Sequence, residues 1–197
     1  MKKIQWKGSA LLAPIPPVMV TCGTISSPNV LTIAWTGILN TVPPKTYISV
    51  RPERYSYNLI KESGEFVINL TTRELVWAAD FCGVKSGSNT NKLKEMKLEV
   101  QNASVISAPI LEKSPVNIEC RVTDIIKMGS HDMFIADIVS INIAEQYIDE
   151  KGKLNLDKCD LVAYSHGEYF ALGEKLGSFG YSVRKKPINR NAKKVKK

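Results

Sequence analysis

The sequence lacks the markers of the common nucleotide cradles. It contains no G-x-G-x-x-G and no G-x-x-x-x-G-K-[ST] stretch, so neither a dinucleotide crossover nor a P-loop is written in it. There is no G-x-S-x-G elbow of the α/β-hydrolase kind. Histidine is scarce, with His131 and His166 the whole supply. The four cysteines, Cys22, Cys82, Cys120 and Cys159, stand far apart and form no Cys-x-x-Cys pair. That spacing speaks against a zinc centre and against a disulfide framework; reduced thiols in a cytoplasmic protein are expected. No run of about 18 apolar residues occurs, so no membrane span is expected. The start, MKKIQWKGSALLAPIPPVMVTCG, fails as a signal peptide: Trp6 and Lys7 interrupt the approach, and Pro14, Pro16 and Pro17 break the apolar stretch.

What is present is an ordinary globular composition, 44% hydrophobic and 23% charged over 197 residues, enough for one domain with a good core. The formal charge of +8 resembles a nucleic-acid signal until its location is considered. Eight of the 27 basic residues lie in the terminal RKKPINRNAKKVKK, which has no acid; the other 19 match the 19 Asp and Glu, so the body is neutral. The expected organisation is one domain over 1–183 and a basic, solvated tail over 184–197. Specific nucleic-acid binding is not expected, and contact through the tail alone would be weak and salt-sensitive.

The patterning is mostly that of strands. Val18 to Ile25, Val30 to Leu39, Tyr47 to Val50 and Phe66 to Leu70 read as strands, with a Pro43-Pro44 turn between the second and third. Glu53 to Ser63 reads as a helix stopped by Gly64. Thr71 with Glu74 suggests a capping box for a helix ending near Cys82, with Gly83 as its C-cap. Asn89 to Met96 suggests a further short helix. Val116, Ile118, Cys120 and Val122 alternate with Asn117, Glu119, Arg121 and Thr123; MGSHD and FIADIVSINI follow, predicting a hairpin with one face buried. Many strands, few helices and no strand–helix alternation predict a mainly β protein rather than a doubly wound sheet.

One stretch raises a functional question. LTIAWTGILNTVPPKTYISVR carries an apolar strand edged by hydroxyls and a neighbour that ends on Arg51. A phosphate needs a fork of donors, which Arg51 supplies, and profits from a helix start, which follows at Arg54, Tyr55 and Ser56. A flat ring needs a slot edged by amides and small hydroxyls, which Thr32, Ala34, Trp35 and Thr36 could offer. GVKSG at 83–87 is a Gly-flanked loop with a cation and a hydroxyl, a form that wraps anions but is more often only a turn. Taken singly, an arginine is usually solvated and a strand tryptophan usually core. On these residues alone, a buried hairpin with a surface arginine and a site for a flat anionic cofactor both stand.

Together the motifs are more specific. The run NVLTIAWTGILNTVPPKTYISVRPERYSYNLIKESGEFVINLT, then DFCGVKSG, KLKEM and LVAYSHGEYFALGEKLGSFGYSV, resembles the flavin reductase family of FMN-binding split-barrel proteins, and most of all its flavoredoxin branch. The resemblance covers nearly the whole chain up to the basic tail. It implies a Greek-key split β-barrel with a few helices, a homodimer, and one non-covalent FMN at or near the subunit interface. It further implies that Asn29, Thr32, Ala34, Trp35 and Thr36 edge the ring and ribityl chain, and that Ser49, Val50, Arg51 and Ser56 form the phosphate end. Cys82, Gly83, Lys85, Ser86 and Gly87 would form a loop closing over the flavin. Tyr164 would approach the ring, with the partner subunit as one source. No metal is implied, and no catalytic residue is named. Reductases of this kind often carry a Gly-Asp-His stretch near the nicotinamide; here the region reads SHGEYF at 165–170, which weakens the carry-over of NADH specificity. The implied function is electron transfer by FMN, as a flavin reductase-like enzyme using NAD(P)H or a reduced, ferredoxin-like protein donor. The alternatives are a flavoredoxin-type carrier between proteins and a module that stores or senses FMN. Cys82 draws attention as a redox residue, but without a placed partner it reads as a small residue beside the flavin loop.

Overall fold

The computed structural model describes residues 1–184, so the basic tail predicted from residue 184 onward falls outside the described residues but for Arg184. The chain opens with strands β1 (Val18–Thr24), β2 (Ser27–Ile33), β3 (Thr36–Thr41) and β4 (Pro44–Val50), followed by helix α1 (Tyr55–Ser63) and strand β5 (Glu65–Leu70). Helices α2 (Val76–Val84) and α3 (Lys92–Glu95) come next, then the short strands β6 (Val100–Gln101) and β7 (Ile110–Leu111). The long hairpin β8 (Val116–Lys127) and β9 (Asp132–Ile143) and the small hairpin β10 (Val162–Ser165) and β11 (Glu168–Ala171) complete it. No helix of the described residues is long and apolar enough to cross a membrane.

Seven strands form one antiparallel sheet in the order β2-β1-β5-β8-β9-β4-β3. Its outermost strands, β2 and β3, are consecutive in the chain and separated only by Ala34 and Trp35. Two residues span a few ångströms, so the two edges of the sheet must come together there. The result is a barrel with a seam, a split barrel. The Ser49 N–H donates to the Trp35 carbonyl across the seam at 2.9 Å. Strand β5 returns from β4 through α1 to lie beside β1, the long connection of a Greek key. The expected mainly β, Greek-key split barrel with few helices is the observed fold.

The barrel interior is filled from all sides by alternate residues, Val18, Val20, Leu31, Ile48, Phe66 and Phe134 among them. Phe134 is fully buried, and removing such a side chain from water stabilises by about 1.5–3 kcal/mol. Met19 and Val30 point the other way, under Leu75, Ala79 and Cys82 of the α2 segment. Strand β1 is therefore buried on both faces, which explains its near-continuous apolar run.

Several expected details are corrected. The strand read as Val30 to Leu39 is two strands, because its residues must pass from one sheet edge to the other at Ala34-Trp35. The capping box at Thr71 does not form: α2 starts at Val76 behind Leu75, with no side-chain cap, and the Thr71 hydroxyl is buried without a partner. Gly83 does not end α2; Lys85 does, and Gly83 lies in the last turn facing Thr32. Gly64, by contrast, closes α1 with φ +68° as predicted. The β8 hairpin is not open on its polar face, since Asn117 and Glu119 are buried beneath the segment that carries β6 and β7. That segment brings backbone groups that need partners: Asn69 accepts from Leu111 N–H, Asn117 donates to the Leu111 carbonyl, and Glu119 accepts from Ser104 and Val105 N–H.

Candidate functional site

The seam opens into a cleft. Three adjoining cavities of about 670, 360 and 170 Å3 share Thr32, Arg51 and Arg54 in their walls, so they form one continuous space with two different ends. Thr32 is at the end of β2, with its hydroxyl donating to the Ala79 carbonyl of α2. Arg51 follows β4, and Arg54 is the residue from which α1 starts.

One end is cationic. Arg51, Arg54, Lys85 and Lys92 line the cavity of about 360 Å3, with the hydroxyls of Ser56 and Ser86. Arg51 pairs with Glu53 at 3.5 Å in an exposed contact, a kind worth little and readily exchanged. Arg54 makes no salt bridge among the described residues. The first turn of α1 has no side-chain cap, so its free N–H groups add positive potential at the same end. Lys92 is the exceptional group. Only 4% of it is exposed, and its ammonium donates to the Cys82 carbonyl in the last turn of α2 at 3.3 Å. Burial pushes its pKa down, and no carboxylate faces it. A buried ammonium held by one carbonyl is costly and uncommon, and an anion in the cavity would offset that cost.

The other end is aromatic. Trp35, His131, Tyr164, His166 and Tyr169 line the cavity of about 670 Å3, with Ala34 and Gly83. Trp35 and His131 rest on one another, ring centroids 4.5 Å apart. Tyr164 and Tyr169 meet edge to face at 5.1 Å, and the Tyr169 hydroxyl donates to Asp80 at 3.2 Å. Burial and the Asp80 carboxylate push the Tyr169 phenol up to about 12, so it is a donor at neutral pH. Residues Ala10 to Ala13 and Ile15 close one side, tied down where Ile15 and Tyr164 exchange backbone hydrogen bonds at 2.9 and 2.8 Å.

The residues expected at the site fall into three groups. Thr32, Ala34, Trp35, Ser49, Val50, Arg51, Ser56, Cys82, Gly83, Lys85, Ser86 and Gly87 line the cleft. Tyr164 lines it too, from the chain's own β10 hairpin. Cys82 and Gly83 belong to α2, so the expected loop is the end of a helix followed by Lys85 to Gly87. Asn29 and Thr36 do not line the cleft. Asn29 is buried behind it, donating to the Ser56 hydroxyl at 2.6 Å, and thus orients a residue that does. The Thr36 hydroxyl is turned into its own hairpin, donating to the Tyr47 carbonyl at 2.6 Å. The Cys82 thiol is buried and pushed up to about 11 by that burial, against the pull of Lys92, which leaves it protonated and unreactive.

Arg54, read as part of the helix start beside Arg51, lines the same cleft. Lys92, His131 and Tyr169 were not expected at all. Lys92 opens the quoted KLKEM, but nothing local shows that this stretch folds back under α2. His131 had one weak signal, its place in the turn of the most clearly periodic hairpin.

Gly87 is fixed by close packing. A Cβ there would meet the Asn29 Oδ1 at 2.4 Å and the Tyr55 ring at 2.7 Å. Gly87→Ala is therefore expected to push the Asn29 amide off Ser56 and to weaken binding at the cationic end about tenfold, roughly 1.4 kcal/mol. Titration with inorganic phosphate, the simplest anion for that end, checks it, and an unchanged affinity would show that Asn29 has room to move.

Fold and cleft together define a split-barrel protein with a seam that is cationic at one end and aromatic at the other. The family model described as the flavin reductase like domain matches residues 12–173, and the chain belongs to that family. It is 31% identical to an uncharacterized protein of Archaeoglobus fulgidus over 147 residues, 73% of this chain and 81% of that one. Among solved structures, the flavoredoxin of Desulfovibrio vulgaris (Miyazaki F) superposes with a TM-score of 0.85 and 29% identity, covering 93% of this chain and all of that one. The flavoredoxin of Methanosarcina acetivorans does so with a TM-score of 0.84 at 24% identity, over the same shares.

Proposed function

We propose that the cleft holds one FMN, with its phosphate at the cationic end and its ring at the aromatic end, and that the protein transfers electrons through it. The observation that carries this reading is the buried, carboxylate-free Lys92 beside Arg51, Arg54 and Lys85, at one end of a space whose other end is aromatic. Cations and serine hydroxyls suit a terminal phosphate, and Ser56 is held in place by Asn29. The seam peptides at Thr32 to Trp35 and the Trp35–His131 pair form walls for a flat ring. FMN, when bound, supplies hydride or single-electron chemistry, and the chain's residues supply placement, electrostatics and exclusion of water.

Purified protein is expected to be yellow and to release FMN, not FAD, on denaturation, because Arg51 and the start of α1 suit one terminal phosphate and no dinucleotide fingerprint is present. Chromatography of the released flavin decides it. FAD as the main species, or a colourless protein that ignores added FMN, would sink the reading.

Within this reading the protein is a flavin reductase-like oxidoreductase using NAD(P)H or a reduced protein donor, working as a homodimer. A carrier role between proteins is supported by exposed apolar side chains near the cleft. Trp77, Val84 and Phe170 are exposed on α2 and β11, the elements that bring Asp80, Gly83 and Tyr169 to the cleft. Likeness to a flavoredoxin at 29% identity points the same way. Anaerobic mixing separates the two: rapid bleaching by NADH or NADPH supports the enzyme, and reduction only by reduced ferredoxin supports the carrier.

A further inference from the structure

His131 sits in the turn between β8 and β9, where the Met128 N–H donates to its carbonyl at 3.1 Å. One ring nitrogen, Nδ1, is 3.0 Å from the Ser130 hydroxyl; the other has no hydrogen-bond partner among the described residues. The ring lies against Trp35 at the seam and lines both the aromatic cavity and the narrow cavity that leads toward Arg51. It is half-buried, so protons can reach it from solvent. The charged groups around it come from the segment after β4: the guanidinium groups of Arg51 and Arg54 and the carboxylate of Glu53. Its neighbour in sequence, Asp132, is buried and already accepts from the Tyr57 hydroxyl at 2.6 Å. His131 is thus an imidazole whose protonation answers to whatever charge the cleft contains.

We propose that His131, set against Trp35 at the seam, is the proton-linked positioning residue of this cleft, taking up a proton from solvent when the bound flavin gains electrons. The proposal rests on the FMN reading. In the flavin-free protein, burial and the two arginines hold the imidazole below its usual pKa, with Glu53 opposing them. A ligand phosphate that engages Arg51 and Arg54 removes much of that positive potential. A flavin that gained two electrons from a donor and one proton from solvent would carry one additional negative charge. A second proton from solvent, taken by His131, balances that charge within the site. Linkage requires the converse: protonated His131 favours the reduced flavin. A neutral imidazole could not answer in this way if it stood across the barrel, and Trp35 is the group that fixes it at the seam.

The chain's two histidines make the test direct. Proton NMR of the imidazole C–H signals, assigned with His131→Gln and His166→Gln, follows each ring against pH. The titrations are run flavin-free, with oxidised FMN, and with FMN reduced under argon by dithionite, which is the electron source. The His131 inflection is expected to rise on FMN binding and to rise again on reduction, while His166, exposed in the β10–β11 turn, moves less. The midpoint potential of bound FMN should then fall more steeply with pH by one proton per two electrons between the two inflections. That extra slope should vanish in His131→Gln. A merely structural role would shift the potential equally at every pH. If FMN binds but the His131 inflection does not move on reduction, the proposal is overturned and the FMN reading stands. If FMN does not bind the wild-type protein, both are overturned.

Discussion

Replacing Lys92 with methionine is expected to weaken FMN binding by about ten- to a hundredfold and to leave riboflavin binding nearly unchanged. A charge-assisted hydrogen bond to phosphate is worth roughly 1.5–3 kcal/mol, and riboflavin has no phosphate to lose it. The buried position of Lys92 puts it at the upper part of that range, since water screens it least. Two opposing effects act on the flavin-free protein. Methionine removes a buried charge, which stabilises, and leaves the Cys82 carbonyl at the end of α2 without its donor, which destabilises by about 1–3 kcal/mol. The fold should survive, and urea unfolding would show it. Arg51→Ala should show the same FMN-selective loss, more weakly, because Arg51 is exposed. Arg51→Lys should recover only part, for an ammonium keeps the charge and loses the fork. Arg54 is no control, since it shares the cleft. Arg73, ion-paired with Asp160 at 3.2 Å and absent from the cleft walls, is the proper one. Equal losses for FMN and riboflavin in Lys92→Met would assign Lys92 to the fold, as the cap of α2, and not to the phosphate.

Glu119→Gln is expected to cost about 1.5–3 kcal/mol of stability at neutral pH, with little change in flavin affinity among molecules that remain folded. Glu119 is fully buried and accepts from Ser104 N–H at 2.7 Å, Val105 N–H at 2.9 Å and the Asn142 amide at 2.6 Å. An amide there points two hydrogens at groups that are themselves donors. Burial alone would raise the carboxyl pKa, but these hydrogen bonds outweigh it and hold the value below the usual one. A carboxyl depressed on folding contributes stability above its unfolded-state pKa and loses it as the pH falls through the folded-state value. The difference between wild type and Glu119→Gln should therefore shrink in acid, where the wild-type residue is also neutral. Urea unfolding at neutral and acid pH measures it. A cost that stays constant with pH would place the effect in packing rather than in the charge.

Much of the barrel was legible because strands announce themselves locally. The alternation from Val116 to Thr123 and the strand at Phe66 to Leu70 need only a buried face and a β-favouring backbone, and both are visible in short windows. The stop of α1 at Gly64 is local for the same reason. Arg51, Ser56 and the residues from Lys85 to Gly87 were legible as parts of quoted motifs, and the structure brings them to one cavity.

The rest depended on which distant segments meet. Strand character alone cannot show that Ala34 and Trp35 carry the chain from one sheet edge to the other, because closure is a property of the whole strand order. Asn117 and Glu119 looked exposed because the sequence does not show the β6–β7 segment lying over them. Their burial is tolerable because that segment supplies N–H groups to Glu119 and a carbonyl to Asn117, while Asn142 and Asn69 of the neighbouring strands supply the rest. Asn29 and Thr36 have the residue types of ring contacts, yet their side chains find better partners in Ser56 and Tyr47. Lys92 and His131 reach the cleft from α3 and from the β8–β9 turn, far along the chain from Arg51. By itself the sequence determined a mainly β chain with a helix start beside an arginine. Only the tertiary structure decided where the sheet closes and which cations and rings meet at that seam, since side-chain contacts across the barrel depend on strand order and not on neighbours in the chain.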